Sequence, residues 1–199
     1  MKSDITNLTV VTACLADHQK IAGLHHLSHS LSFREFAPKS WTATRNFAEY
    51  RASWSSILNS QTSRERTWIA LKENHVAGTV TIQNLENCSS IFRPSGLNGI
   101  PVSDVACLRL MYVHPEYIRQ GVGSSLIQEA VNFCAQNGYR LGSLITHAAN
   151  TRARRFYESH DWRLDEIFQG QVKEFFKEPK SMRNRVRYHL SVRSNIKSD

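Results

Sequence analysis

Two short stretches hold the residues whose types and spacing could do chemistry. The first is Arg119-Gln120-Gly121-Val122-Gly123-Ser124, in which two glycines separated only by Val122 lead into an apolar run of helical period. A helix N-terminus presents backbone N–H groups with no intrahelical acceptor, and glycine lets a bulky phosphate come close to the backbone. The pattern fits an anion cradle, and equally a plain structural turn. Two familiar phosphate loops fail on detail. A dinucleotide fingerprint needs a third small residue where Leu126 stands, and a nucleoside-triphosphate loop needs a Lys followed by Ser or Thr, which is absent. The second stretch holds Asn150, Ala153, Phe156, Tyr157 and Glu158, then Asp161-Trp162. His25, His26 and His29 raise the question of a metal, because residues four apart share a helix face. With no acidic or thiol ligand beside them, a solvated helix face is the better reading. Cys14, Cys88, Cys107 and Cys134 contain no C-x-x-C pair, so neither a zinc site nor a redox dithiol is expected, and reduced, buried thiols are.

The elements that must position these residues follow from periodicity. Residues 8–14 read as a first strand, and the lipoprotein-like Val11-Thr12-Ala13-Cys14 lacks the basic and apolar leader that would make it a cleavage site. Residues 16–59 carry apolar positions at helical spacing and predict two helices broken near Pro38. Runs at 67–70 and 76–82 flank Glu73-Asn74-His75 and predict a hairpin. The aperiodic stretch 84–104, with Pro94, Gly96, Gly99 and Pro101, is a long loop of the kind that often serves as a lid or binding element. A strand at 108–113 ends at His114-Pro115. Helix follows from Gly121 to a cap at Gly138, then strand 141–147, helix 151–160 and strand 162–169. Val186, Tyr188, Leu190 and Val192 alternate with Arg185, Arg187, His189 and Ser191, which predicts a strand with one buried face and an outward, solubilising one.

Taken in order, the segments from 108 to 162 resemble the GNAT superfamily of acyl-coenzyme A-dependent N-acyltransferases: a strand ending in Val113-His114-Pro115, the glycine turn, a helix, a strand, then N-x-x-A-x-x-F-Y-E. The resemblance implies one α/β (α+β) domain over 1–199. Its mixed, mostly antiparallel sheet of about seven strands would be flanked by about four helices and splayed between strands 4 and 5. It also implies acetyl-CoA as co-substrate, without a metal. Met111, Tyr112 and Val113 would hold the pantetheine arm, the Val113 N–H would polarise the thioester carbonyl, and Arg119, Gln120, Gly121, Val122, Gly123 and Ser124 would surround the pyrophosphate. Asn150 would bind the arm or cap the next helix. Tyr157 would be the general acid, since a phenol of pKa near 10 can share a proton with a thiol near 8.5; the alternative is that it only packs beside Phe156.

Three departures from the family pattern stand out. Ile118 occupies the first turn position, Cys107 stands where many members carry a glutamate, and Asp161 replaces a usual glycine. Glu73, Asp104, His114 and His147 are conceivable bases, none of them singled out by spacing. The implied acceptor is the primary amine of a small molecule. The alternatives are a protein amine, an aminoacyl-tRNA, or a non-catalytic nucleic-acid or acyl-CoA binding module. A homodimer is compatible with the family.

The 199-residue chain has 41% hydrophobic residues and Lys+Arg 25 against Asp+Glu 17, a net charge of +8. That composition excludes collagen-like and low-complexity chains. No apolar window approaches the ~18–20 residues of a membrane helix, so a soluble cytoplasmic protein is expected, with no membrane partner. The excess charge is uneven. Arg119, Arg140, Arg152, Arg154 and Arg155 face the lone acid Glu129 around the proposed pyrophosphate turn, and a second basic cluster lies at 173–199. The second cluster keeps a weaker nucleic-acid reading open.

Overall fold

Residues rich in Val, Ile and Thr at 66–84 pair on themselves, because Glu73 (φ 51°) and Asn74 (φ 63°) both adopt left-handed backbone. Two such residues between Lys72 and His75 make the tight turn whose twist matches that of a hairpin. The computed structural model describes residues 8–43, 46–97, 99–169, 172–175 and 178–192. Its strands are β1 (Leu8–Thr12), β2 (Arg66–Lys72), β3 (His75–Asn84), β4 (Val105–Val113), β5 (Leu141–His147), β6 (Arg163–Gln169) and β7 (Asn184–Ser191). They form a 7-stranded sheet in the order β1-β2-β3-β4-β5-β7-β6. Every neighbouring pair is antiparallel except β4 and β5.

Helices cover both faces. On one, α4 (Val122–Gln136) and α5 (Thr151–Glu158) bury Val122, Leu126, Ile127, Ala130 and Tyr157 against Ala77, Val80, Ile82, Leu108 and Leu144 of the sheet. On the other, α1 (His18–Ser32) and α3 (Phe47–Asn59) pack Ile21, Ala22, Tyr50, Trp54 and Ile57 against Ile69. Gly78 in β3 explains how closely α4 can approach. A Cβ there would lie 2.8 Å from both Leu126 Cδ1 and Val122 Cγ1, and 3.1 Å from the Tyr112 carbonyl.

The β4–β5 ladder is short. It joins Val105 to Leu141, Ala106 to Gly142 and Cys107 to Ser143, and then stops. Across the β3–β4 ladder, Ile82 faces Leu108 and Thr81 faces Leu110, so Arg109 is an extra, bulged residue. A bulge bends and twists its strand. Beyond it, β4 runs away from β5, and the expected splay opens between 108–113 and 144–147.

Several expectations need correction. The region 16–59 holds three helices, because α1 ends at Ser32 and a short α2 (Lys39–Ala43) precedes α3, which raises the number to five among the described residues. Strand β1 ends two residues short of the expected position, and β4 starts three residues early because Val105, Ala106 and Cys107 find a partner in β5. The loop at 84–104 contains three 3₁₀ turns and is well packed: Phe92, Leu97, Ile100 and Val102 lie against buried Leu85, Val105, Cys107 and Leu141. Helix α5 ends at Glu158 and β6 begins at Arg163, with Trp162 buried between them.

The largest correction concerns β7. Its arginines do not face solvent: Arg185 is 6% and Arg187 4% exposed. Its two edges are paired with β5 and β6, and the face that carries the arginines is covered by the long loop and by the segment around Glu178 and Met182. Arg187 pairs with Asp165 and Glu166 of β6 and donates to the carbonyl of Ile91 and the hydroxyl of Ser95 in the long loop. Arg185 pairs with Glu178 and donates to the carbonyl of Met182. The rest of 193–199 lies outside the described residues.

Candidate active site

The sheet leaves two kinds of unpaired backbone at one place. The N–H of His114 donates to the carbonyl of Ala77 at 2.8 Å, toward β3. Backbone groups of successive strand residues point to alternate sides. Those of Val113 and Met111 therefore point into the splay, and those of Tyr112 point to β3. From the splay side, Ser28 of α1 donates its hydroxyl to the Val113 carbonyl at 3.2 Å. Tyr112 contributes its ring instead, stacked on His25 with centroids 4.0 Å apart.

The second place is the N-terminus of α4, immediately after β4. Arg119 (φ 64°) and Gly121 (φ 83°) are both left-handed, and Gly121 caps the helix without a side-chain hydrogen bond. The amides of Val122, Gly123 and Ser124 lie in the first turn, where no intrahelical carbonyl is available to them. Val122 itself is a core residue, so it has only backbone to offer a ligand. Gly123 is small for a packing reason: a Cβ would lie 3.1 Å from the Phe156 ring and 3.7 Å from Met111 Cε. Gln120 is held by its own side chain, which donates to the carbonyl of Glu116 and accepts from Lys72 Nζ. Lys72 is a cation beside the turn that sequence reading missed. It comes from the end of β2, far from the motif in sequence, and only the β2–β3–β4 register brings it there.

Asn150 caps α5, its Oδ1 accepting from the N–H of Ala153 at 3.1 Å. Tyr157 is packed against Phe156, Trp162 and Tyr188, and burial pushes its phenol above its ordinary value. Ser124 and His160 are joined at 3.1 Å, which ties the glycine turn to the end of α5. Around α5, Arg154 donates to the Tyr188 hydroxyl at 3.1 Å, and that hydroxyl donates to Glu158 at 2.6 Å.

The histidines of α1 are half-buried and do not form a solvated face. Trp54 donates its indole N–H to His25 Nδ1 at 3.1 Å, and His29 Nδ1 lies 2.7 Å from the Tyr50 hydroxyl. They line an aromatic wall on the sheet face opposite α4. Among the described residues no group of three His, Cys, Asp or Glu could hold a metal ion.

The candidate bases scatter. Asp104 sits just before β4, roughly 26 Å along the chain from Tyr112. Glu73 is exposed at the hairpin tip. His114 Nδ1 accepts from the N–H of Glu116 at 3.4 Å. Cys107 is fully buried, and burial holds its thiol well above the usual range, so nothing ionisable at working pH takes the place of the family's glutamate. His147 alone lies on β5 beside the splay.

Comparison with known proteins agrees with this fold. The profile of the acetyltransferase (GNAT) family matches residues 30–162. A curated uncharacterized N-acetyltransferase of Archaeoglobus fulgidus is 34% identical over 56 residues, which is 28% of this chain and only 38% of that relative's length. Among solved structures, the PaiA N-acetyltransferase of Thermoplasma acidophilum in complex with coenzyme A superposes with a TM-score of 0.70 at 12% identity, covering 94% of this chain and 99% of that one. A putative acetyltransferase from Salmonella typhimurium with its cofactor acetyl-CoA gives 0.66 at 13% identity, over 98% and 99%. The ribosomal-protein alanine N-acetyltransferase from Escherichia coli gives 0.62 at 16% identity, over 93% and 94%.

Proposed function

Because the chain belongs to the acetyltransferase (GNAT) family, we propose that it transfers an acetyl group from acetyl-CoA to the primary amine of a small-molecule acceptor by direct attack. The observation that carries this reading is the splay of β4 from β5 with the Val113 and Met111 backbone turned into it, next to a helix N-terminus whose amides lack intrahelical acceptors. The donor's arm would pair with Met111 and Val113. The amides of Gly121 to Ser124 would take its pyrophosphate, with Lys72 and Arg119 as nearby cations.

The Val113 N–H would stabilise the charge that develops on the thioester oxygen, a contribution that oriented backbone donors make well in a water-poor site. Tyr157 would give its proton to the departing sulfur. Its burial keeps it loaded with that proton across the working range, at the expense of the close pKa match expected from the sequence. Asn150 would act by holding the start of α5, and so the position of Tyr157, through its cap.

The aromatic and histidine-rich face under α1 supports an acceptor that is small and partly apolar. The nucleic-acid reading loses ground, because Arg185 and Arg187 of the basic segment are consumed in internal ion pairs and cannot supply phosphate contacts. Among the described residues no helix is long and apolar enough to cross a membrane, and the four free cysteines fit a reducing, cytoplasmic setting.

The test is a panel of amines with acetyl-CoA, read by free-thiol release and by mass of the N-acetylated product. Thiol release that depends on a small amine and matches product in amount is expected. Acetyl-CoA turnover only with peptide or RNA acceptors would contradict the small-molecule assignment.

A further inference from the structure

An ammonium acceptor must lose a proton before its nitrogen can attack, and the position at which the family's glutamate would stand is the buried thiol of Cys107. The base must therefore come from elsewhere on the acceptor face of the splay. That face can be read from side-chain alternation along β5. Leu141 packs with the long loop and Ser143 donates to the Phe92 carbonyl, while Leu144 lies in the core beneath α4. His147 is in phase with Leu141 and Ser143, on the face away from α4. Its ring contacts confirm this, with centroids 4.9 Å from Phe33 and 5.2 Å from Phe36, just beyond α1. The aromatic wall runs on from there. His29 is 3.9 Å from Phe33 and 6.5 Å from Tyr112, so it bridges the splay from β5 to β4.

Three histidines line this wall, and their hydrogen bonds separate them. An indole N–H can only donate, so Trp54 makes His25 Nδ1 an acceptor and leaves the neutral ring's proton on Nε2. A hydroxyl can donate or accept, so Tyr50 leaves the tautomer of His29 open. A carbonyl can only accept. His147 Nδ1 lies 3.1 Å from the carbonyl of Met182, so Nδ1 carries the proton and the lone pair of the neutral ring is on Nε2. Among the described residues, the charged and titratable groups around it include Arg185, its partner on β7, which shares the Met182 carbonyl and is neutralised by Glu178; Arg154, which donates to the Ala148 carbonyl; Tyr112 across the splay; and His29 behind Phe33.

Resting on the acetyl-transfer reading above, we propose that His147 is the general base that deprotonates the acceptor amine. His147 Nε2 takes one proton from the ammonium, directly or through one water. The freed amine nitrogen attacks the thioester carbon, a C–N bond forms and the C–S bond breaks. The second nitrogen proton replaces the one that Tyr157 gives to sulfur. His147 returns its proton to solvent, so each turnover yields an amide, a free thiol and one proton.

The test uses the full chain and the amine found in the screen above. In His147→Asn the amide nitrogen replaces Nδ1 and keeps the bond to the Met182 carbonyl, while the lone pair at Nε2 is removed. With this variant, kcat/KM for the amine is expected to fall roughly 10²–10⁴-fold at neutral pH. The deficit should shrink by about tenfold per pH unit as the amine deprotonates in solution toward its own pKa of about 10.4, and KM for acetyl-CoA should not change. A uniform loss at every pH, or none, would overturn the assignment. Independently of activity, nitrogen-15 NMR of the imidazoles is expected to show His147 as the Nδ1–H tautomer, and an Nε2–H tautomer would overturn it. A wild-type protein that binds acetyl-CoA but acetylates no amine overturns the acetyl-transfer reading and the base with it. An active wild type with an unchanged variant overturns the base alone.

Discussion

Tyr157 shows what a residue's surroundings add to its type. The motif places a phenol after Phe156, and the structure buries it among Phe156, Trp162 and Tyr188, so that its proton is held more tightly than in a free tyrosine. The sign is clear: a phenol raised above its ordinary value stays protonated at every pH below about 10. Turnover should therefore show no alkaline loss from Tyr157 in that range. Tyr157→Phe is expected to lower turnover roughly 10²–10⁴-fold while acetyl-CoA binding is retained, measured by steady-state thiol release and by calorimetry. Gly121 and Asn150 were legible as helix starts because turn and cap residues act on their own sequence neighbours, whereas the role given to Tyr157 entered through the resemblance. Lys72, Ser28 and Met182 reach the candidate site from distant segments, so no local pattern could show them. The buried arginines of β7 misled for a related reason: period-two alternation shows that two faces exist, not that one of them is wet.

At the scale of elements, the site depends on how closely α4 lies on the sheet and how firmly β6 and β7 hold the long loop. Gly78→Ala would drive a methyl into Leu126 and Val122, and overpacking of this kind costs about 1–3 kcal/mol. Urea unfolding should show that loss, with weaker acetyl-CoA binding because the turn ahead of Val122 moves with the helix. Arg187→Met removes the partner of Asp165, whose side chain is 7% exposed, and frees the carbonyl of Ile91 and the hydroxyl of Ser95. Breaking one side of a buried pair costs about 3–5 kcal/mol, so a large fall in unfolding midpoint is expected, together with faster proteolysis within 85–104. Strand order was not legible from periodicity; the resemblance supplied the strand number and the splay between strands 4 and 5, and the pairing supplies the order. The strand starts of β4 and β7 are set by pairing partners, and the bulge at Arg109, on which the splay depends, has no signature in its own sequence.

For the whole molecule, charge and burial set the response to conditions. Burial pushes the Cys134 thiol from the ordinary 9.0 to about 12. Because the folded value is raised, the stability this thiol contributes is complete below about pH 9 and is lost as pH climbs toward about 12. Unfolding midpoints measured from pH 8 to pH 11 should hold up to about pH 9 and decline above it, and a Cys134→Ala background should decline less. The net charge of +8 resolves into two parts with different uses. One begins with Arg119 at the turn before α4 but spreads to Arg140 beyond the far end of that helix and to Arg154 bound to Tyr188, and part of the other is locked inside the β6–β7 end of the sheet. The central claim is that a coenzyme A thioester lies in the β4–β5 splay with its phosphates on the start of α4. Hydrogen exchange of the full chain, with and without saturating acetyl-CoA, tests it most directly. Protection is expected at the amides of 111–113 and 121–124; binding that leaves both segments exchanging as in the free protein would contradict the account.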